Sequence, residues 1–273
     1  MTTGPDERDK DTIHLLHLTD PHLFSDERGA LAGISTASTW RSVLEEVRGR
    51  EALPDAVLVT GDLTHDQQVL TYRRLMADLQ AFTVPVFVLP GNHDDVDVMG
   101  SVFPPEGPVC WAPHARLGGW LLVMLDSTLP GSPGGRLNEG ELDRLERTLR
   151  EHPGQPTLVA LHHQPVPVGS DWLDAIGVDN GAALMTLLGA HPQVRVVLWG
   201  HVHQGFDATR GSMRLLATPS TCIQFRPEQR HFTLDDAAPG WRHLTLRGGG
   251  DVETRVERLE RLPAGLDLNL AGY

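Results

Sequence analysis

The chain has 273 residues, 40% of them hydrophobic and 22% charged, which is the balance of a folded globular protein rather than a disordered or membrane-spanning one. A formal net charge of -13 with no Lys/Arg stripe opposes binding to nucleic acid, whose phosphates are held by clustered cations. No apolar run is long enough to span a bilayer, and Met1 to Asp11 has no apolar signal core, so no membrane partner and a cytoplasmic location are expected. Cys110 and Cys222 fit neither a disulfide framework nor a zinc-ribbon spacing and are expected to be buried thiols.

Residues 1–11 are expected to be a flexible N-terminus. The run Ile13 to Thr19 predicts a strand that ends at Asp20-Pro21-His22, where proline forbids further pairing. A helix is expected from Thr36 to Arg50, with Val43, Leu44 and Val47 on one face. The strand Ala56 to Thr60 ends in Gly61-Asp62, a helix follows from Asp66 to Gln80, and the strand Val86 to Leu89 ends in Gly91-Asn92-His93-Asp94. Asp94 there is a carboxylate able to hold the neighbouring imidazole. Asp95 to Gly119, rich in Pro and Gly, predicts an irregular excursion near the site.

Trp120 to Leu125 predicts another strand, and Asn138 caps a helix that runs to Glu151 with Glu141 at its third position. The strand Thr157 to Leu161 ends in His162-His163-Gln164-Pro165. A helix over Asn180 to Ala190 leads to the strand Val194 to Trp199, which ends in Gly200-His201-Val202-His203. Met213 to Ala217, Gln229 to Leu234 and Trp241 to Leu246 predict short antiparallel strands. Asp251 to Leu262 has the spacing of a helix or of a final strand. The alternation of strand and helix points to βαβ units with right-handed crossovers.

Five strand ends thus carry Asp20, His22, Asp62, Asn92, His93, His162, His201 and His203, where the carboxyl ends of strands bind ligands in α/β proteins. Imidazole and carboxylate without thiolate suit manganese, iron, zinc, cobalt or nickel and argue against a structural zinc site. Asp20, His22, Asp62, Asn92, His162, His201 and His203 are too many ligands for one tetrahedral ion. They suit two, with Asp62 as the bridge giving one oxygen to each. Two such ions activate a shared water as hydroxide and clamp a phosphoryl group, which is the chemistry of a phosphoester hydrolase. The neutral Asn92 keeps the centre net positive. His93, titrating near neutral pH, is cast as the group that protonates the departing alkoxide.

These blocks, in this order, resemble the calcineurin-like metallophosphoesterase superfamily. The resemblance implies an α/β fold: a four-layer α-β-β-α sandwich of two mixed sheets flanked by helices, here as one domain over 12–262 with a C-terminal tail at 263–273. It also implies two divalent metal ions per chain, iron or manganese foremost. One would be held by Asp20, His22, Asp62 and His203, the other by Asp62, Asn92, His162 and His201, with His163 behind the ligands or on the phosphate.

His17 to Phe24, Trp172-Leu173-Asp174, Leu216 to Phe225 and Ala238 to Arg242 are further similar to bacterial class III 3',5'-cyclic-AMP phosphodiesterases. That similarity implies a small-molecule cyclic nucleotide substrate hydrolysed to 5'-AMP by a metal-bridging hydroxide, with His22, Asp62, Asn92, His93 and His203 near the phosphate. Phosphodiesterases of broader range, acting on 2',3'-cyclic nucleotides or glycerophosphodiesters, share the metal site, as do phosphomonoesterases; an inactive scaffold on the same fold would be expected to lack ligands. Gln164 departs from the proline or histidine common in relatives. Outside the blocks, His14 and His17 are expected to be satisfied residues of the first strand, and Asp66 to cap a helix. Trp172 either packs on its own fold or stacks on a base, and Thr218 to Phe225 is expected to be a strand with Cys222 and Ile223 in the core, with a functional loop as the alternative. Nothing in the sequence chooses between monomer and homodimer.

Overall fold

The structure, a computed structural model, describes residues 12–49, 54–270 and 272. The expected flexible segment 1–11 lies outside them. Two six-stranded sheets dominate. The first is ordered 252–258, 240–246, 13–18, 56–60, 86–89, 109–110, and the second 206–210, 213–217, 194–199, 157–160, 120–124, 114–117. In the first sheet, strands 13–18, 56–60, 86–89 and 109–110 run parallel. In the second, 120–124, 157–160, 194–199 and 213–217 do so. Antiparallel strands sit at the margins, so both sheets are mixed.

The period of two along each strand assigns alternate residues to different layers. Leu15 and Leu58 face inward, packing with Leu122, Leu158 and Leu198 of the second sheet. Leu16, Val57 and Val59 face outward onto Trp40, Val43, Leu44 and Val47 of the helix Thr36–Arg48 and onto Tyr72, Leu75 and Leu79 of the helix Val69–Gln80. On the far side, Leu121, Val123, Val159 and Val197 meet Leu145 and Leu149 of the helix Glu139–Glu151 and Leu184 and Leu188 of the helix Gly181–Gly189. Helix, sheet, sheet and helix therefore stack in that order around three apolar seams, as the resemblance implies.

Several expectations are corrected. The helix expected from Asp66 begins at Val69, with Gln68 as its N-cap. Asp66 still serves the first turn, accepting from Gln68 N and Thr71 Oγ1. The excursion after Asp95 holds structure of its own: a helix, Val96–Val102, then edge strands Val109–Cys110 and His114–Leu117. The strand expected over 229–234 shrinks to Leu234–Asp235, paired with Gln224–Phe225. Val252–Arg258 is a strand, its seven-residue register against Gly240–Leu246 excluding the helical option. His14 is exposed rather than in the core, with its Nδ1 3.4 Å from Thr245 Oγ1. Cys110 and Cys222 are free and buried. Among the described residues no helix is long and apolar enough to cross a membrane.

Candidate metal centre

Past the strand ends the chains continue side by side: Asp20 N donates to Gly61 O at 3.2 Å, His22 N to Asp62 O at 2.9 Å, and Gly200 N to His162 O at 3.1 Å. Holding polar side chains inward at such ends needs unusual backbone. Asp20, His22, Asp62, His201 and His203 all adopt positive φ, between 46° and 61°. Non-glycine residues in this left-handed region carry strain that survives where surrounding contacts fix it, as at functional sites. The adjoining glycines allow close approach. A Cβ on Gly61 would lie 2.4 Å from His162 Nδ1, and one on Gly200 would lie 2.0 Å from Thr19 Oγ1.

The side chains so placed converge. His203 Nε2 lies 3.3 Å from Asp20 Oδ1 and 3.3 Å from His22 Nε2. Asp62 Oδ2 lies 3.5 Å from His22 Nε2 and 3.4 Å from His162 Nε2, which is itself 3.1 Å from Asn92 Oδ1. His162 Nε2 and Asp20 Oδ1 are 4.0 Å apart. Asp62 therefore stands between the two ligand sets. One detail differs from expectation: Asp62 Oδ1 accepts from His93 N at 2.9 Å, so a single oxygen, Oδ2, faces both sides.

The far ring nitrogens are tied down. His162 Nδ1 donates to Thr60 O at 2.8 Å and His203 Nδ1 to Ile223 O at 2.8 Å, which leaves each Nε2 as the end turned toward the carboxylates. That is the arrangement of histidines that bind metals, oriented by a carbonyl on the opposite nitrogen. The buried groups facing Asp20 and Asp62 are imidazoles, backbone amides and the Thr19 hydroxyl. Burial would raise the Asp62 carboxyl, but the facing His162 and His93 rings hold it well below the usual carboxylate range. Burial pulls His162 down, and the Asp62 and Asp20 carboxylates more than reverse it, to about 9.

A metal pair suits this cluster on three grounds. Ligand atoms about 2.1 Å from a common ion lie about 3.0–3.4 Å apart at octahedral or tetrahedral angles, close to the 3.1–3.5 Å of all but the His162–Asp20 pair. Sets drawn from Asp20, His22 and His203, from Asp20, Asp62 and His162, and from His162, His163 and His201 each present converging ligand atoms. His201 Nε2 is buried with no hydrogen-bond partner among the described residues, and burial beside His163 and His162 holds its ring neutral. An orphaned neutral imidazole among converging ligand atoms is available to a metal ion.

The remaining predicted residues take different places. His93 and Asn92 border an open cavity of about 170 Å³ together with Asp62, His201, Trp172 and Phe225. His163 is fully buried, with Nδ1 2.9 Å from Ser127 Oγ and Nε2 without a hydrogen-bond partner among the described residues; burial, then the neighbouring His162, brings its pKa down to about 3. The Asp94 carboxylate, expected beside the His93 ring, is spent on backbone, accepting from Gly91 N, Leu63 N and Thr64 N. Gln164 is buried and donates to Leu173 O at 2.6 Å.

Sequence reasoning gave His65 no role and left open two readings, of 218–225 and of Trp172, that the structure decides. His65 joins His22 and His93 in a cluster of imidazoles, and its position three residues after Asp62 is the only signal. The stretch 218–225 is mostly a loop rather than a core strand: Thr221 N donates to Thr19 O and Ser220 Oγ to Asp20 O, buttressing the first block from behind. Trp172, edge-on to Phe225 at 5.0 Å and Phe232 at 5.3 Å, packs on its own fold while also walling the cavity.

Carboxylates and imidazoles gathered around one shared aspartate, where two stacked sheets end, define a dinuclear metal-dependent phosphoesterase. Residues 13–205 match the family described as calcineurin-like phosphoesterase, and the chain belongs to it. Over 265 residues it is 41% identical to the 3',5'-cyclic adenosine monophosphate phosphodiesterase CpdA of Pseudomonas aeruginosa, covering 96% of each chain. Identity is also 41% over 262 residues to the protein of that name from Escherichia coli K12, covering 96% of this chain and 95% of that one. A dimetal phosphatase from Danio rerio superposes with a TM-score of 0.56 at 17% identity, covering 89% of this chain and 98% of that one, a likeness of fold alone.

Proposed function

We propose that this protein hydrolyses 3',5'-cyclic AMP to 5'-AMP in the cytoplasm, where its two buried, unpaired cysteines stay reduced. The reading is carried by one observation: Asp62 Oδ2 stands between His22 and His162, in a chain similar over nearly its whole length to enzymes named for this reaction. Two divalent cations, iron or manganese foremost, supply Lewis acidity and a nucleophile from water at neutral pH. In this reading Asp20, His22, Asp62 and His203 hold one, and Asp62, Asn92, His162 and His201 the other.

The chain's own groups do the rest. His22, Asn92 and His203 border the position of the phosphate. Attack opposite the 3' oxygen breaks the P–O3' bond, and His93 gives its proton to that oxygen as it departs. His163, buried with Nδ1 against Ser127, supports His201 and His162 from behind rather than touching the phosphate. The aromatic wall of Trp172 and Phe225 is suited to a purine face.

The test strips metals with a chelator, restores single metals, and compares rates on 3',5'-cyclic AMP, 2',3'-cyclic AMP and a para-nitrophenyl diester. Metal-dependent turnover greatest on 3',5'-cyclic AMP is expected. Activity confined to the aryl diester would remove the cyclic AMP assignment and leave a phosphodiesterase of broader range.

A further inference from the structure

His93 is the one group in this reading asked to deliver a proton along a defined line, and its ring must be aimed. Its face is covered by His65: the two rings stack with centroids 4.8 Å apart and planes inclined by 22°. Phe24 packs against His65 at 4.9 Å, and His22 meets His93 edge-on at 4.9 Å. His65 is itself held at the backbone, since its N–H donates to Leu23 O at 2.8 Å and the preceding Thr64 N–H to Asp94 at 3.1 Å. Its Nδ1 lies 3.5 Å from Nδ1 of His22, the nitrogen on the opposite side of that ring from Nε2, which faces Asp62. His93 walls the cavity, whereas His65 is not among the residues lining it.

We propose that His65 is a positioning residue for His93: its stacked ring fixes the plane from which His93 protonates the leaving oxygen. The idea rests on the role given to His93 above. Misplacing a reacting group by about 1 Å can cost about a hundredfold in rate, so a side chain that never meets substrate can still carry a large effect. A stack needs a flat ring rather than a ring nitrogen. His65→Phe therefore keeps the function and His65→Ala loses it.

Proton delivery matters for a ribose alkoxide and hardly at all for para-nitrophenolate, which leaves unaided. A merely structural role would lower both rates alike. The experiment compares His65→Ala, His65→Phe, His93→Ala and the His65→Ala/His93→Ala double variant, equally loaded with manganese, on 3',5'-cyclic AMP and on bis(para-nitrophenyl) phosphate. For His65→Ala we expect kcat on the cyclic nucleotide to fall about tenfold with KM little changed, and the aryl rate to fall less than about threefold. His65→Phe should recover most of the loss, and His65→Ala should add nothing once His93 is alanine. Equal losses on both substrates, additive effects in the double variant, or a metal content below wild type would overturn the proposal. Wild-type protein inert toward the cyclic nucleotide but active on the aryl ester would instead overturn the substrate reading; the leaving-group contrast is then read between phenyl and para-nitrophenyl diesters.

Discussion

Asp94 offers a quantitative test of how the centre is held together. Its carboxylate is 8% exposed and takes Gly91 N at 2.9 Å, Leu63 N at 3.0 Å, Thr64 N at 3.1 Å and Tyr72 Oη at 3.0 Å. It therefore clamps the backbone that follows Asp62 to the turn that carries Asn92. Asp94→Ala strands those donors, and a buried donor without a partner costs about 1–3 kcal/mol. A water entering the space left behind can satisfy two of them. Removing the carboxylate also removes a buried charge, which burial and the nearby Asp62 oppose strongly enough to push its pKa up to about 7. With two donors still stranded and the low end applying to each, the expected loss is about 2 kcal/mol. Asp94→Asn, which keeps one carbonyl oxygen for the same donors, should lose less than Asp94→Ala. Urea unfolding of metal-free protein measures the loss, and metal analysis of reconstituted protein should show less than the wild-type complement. A loss below about 1 kcal/mol with full metal content would refute the clamp.

His17, wholly buried between Thr218 Oγ1 at 2.5 Å and Thr60 Oγ1 at 2.7 Å, is held neutral by burial, helped by the Arg242 charge, with a pKa well below 6.5. Its folded pKa is depressed, so the unfolded chain binds the extra proton: this part of the stability is complete above pH 6.5 and is lost below it at about 1.4 kcal/mol per pH unit. Metal-free wild type should accordingly lose stability more steeply than His17→Gln between pH 6 and 5, by the slope of one proton; parallel slopes would count against it. Asn92→Ala is expected to weaken one metal and depress turnover, whereas His93→Ala should lower turnover on cyclic AMP about a hundredfold with metal content intact. Elemental analysis decides, and an emptied site in the His93 variant would reassign that residue. The tail returns to the molecule through Asp267 N to Ala32 O at 2.9 Å, with Leu266 and Leu270 on the core and Gly272 at the cavity. Ending the chain after Leu262 should therefore spare the fold by circular dichroism and raise KM for the cyclic nucleotide; an unchanged KM would show that the tail plays no part in the cavity.

What could be read from the sequence follows the physics of burial. Strands 56–60, 86–89 and 194–199 are apolar runs with buried faces on both sides, which fixes their type and their ends to within a residue. The motifs were legible because each sits where such a run stops. Elements held by tertiary contacts rather than by local pattern were not. Residues 229–234 read as a strand from composition, yet only Leu234–Asp235 finds a partner, because Gln224–Phe225 is all the edge available. The edge strand Val109–Cys110 is two residues long and exists because Val86 and Phe87 lie beside it. Pairing of that kind leaves no periodicity to read.

The loop at 218–225 shows the same limit at the site itself. Its composition suits a core strand, and Cys222 and Ile223 are indeed buried. What it does is set by where its polar atoms fall: Ile223 O on His203 Nδ1, Ser220 Oγ on Asp20 O, Thr218 Oγ1 on His17. These bonds brace residues about 20 to 200 positions away in the chain, and the first two act on the two blocks that each hold two left-handed residues, Asp20 to His22 and His201 to His203. A left-handed non-glycine residue costs about 1–3 kcal/mol, and each such block holds two of them. Hydrogen bonds from a distant, otherwise ordinary loop are what keep those residues from relaxing into extended backbone, which would turn the ligands away from one another. The ligands are thus written in the blocks, while the geometry that makes them a pair of cation sites is written partly in residues with no ligating chemistry of their own.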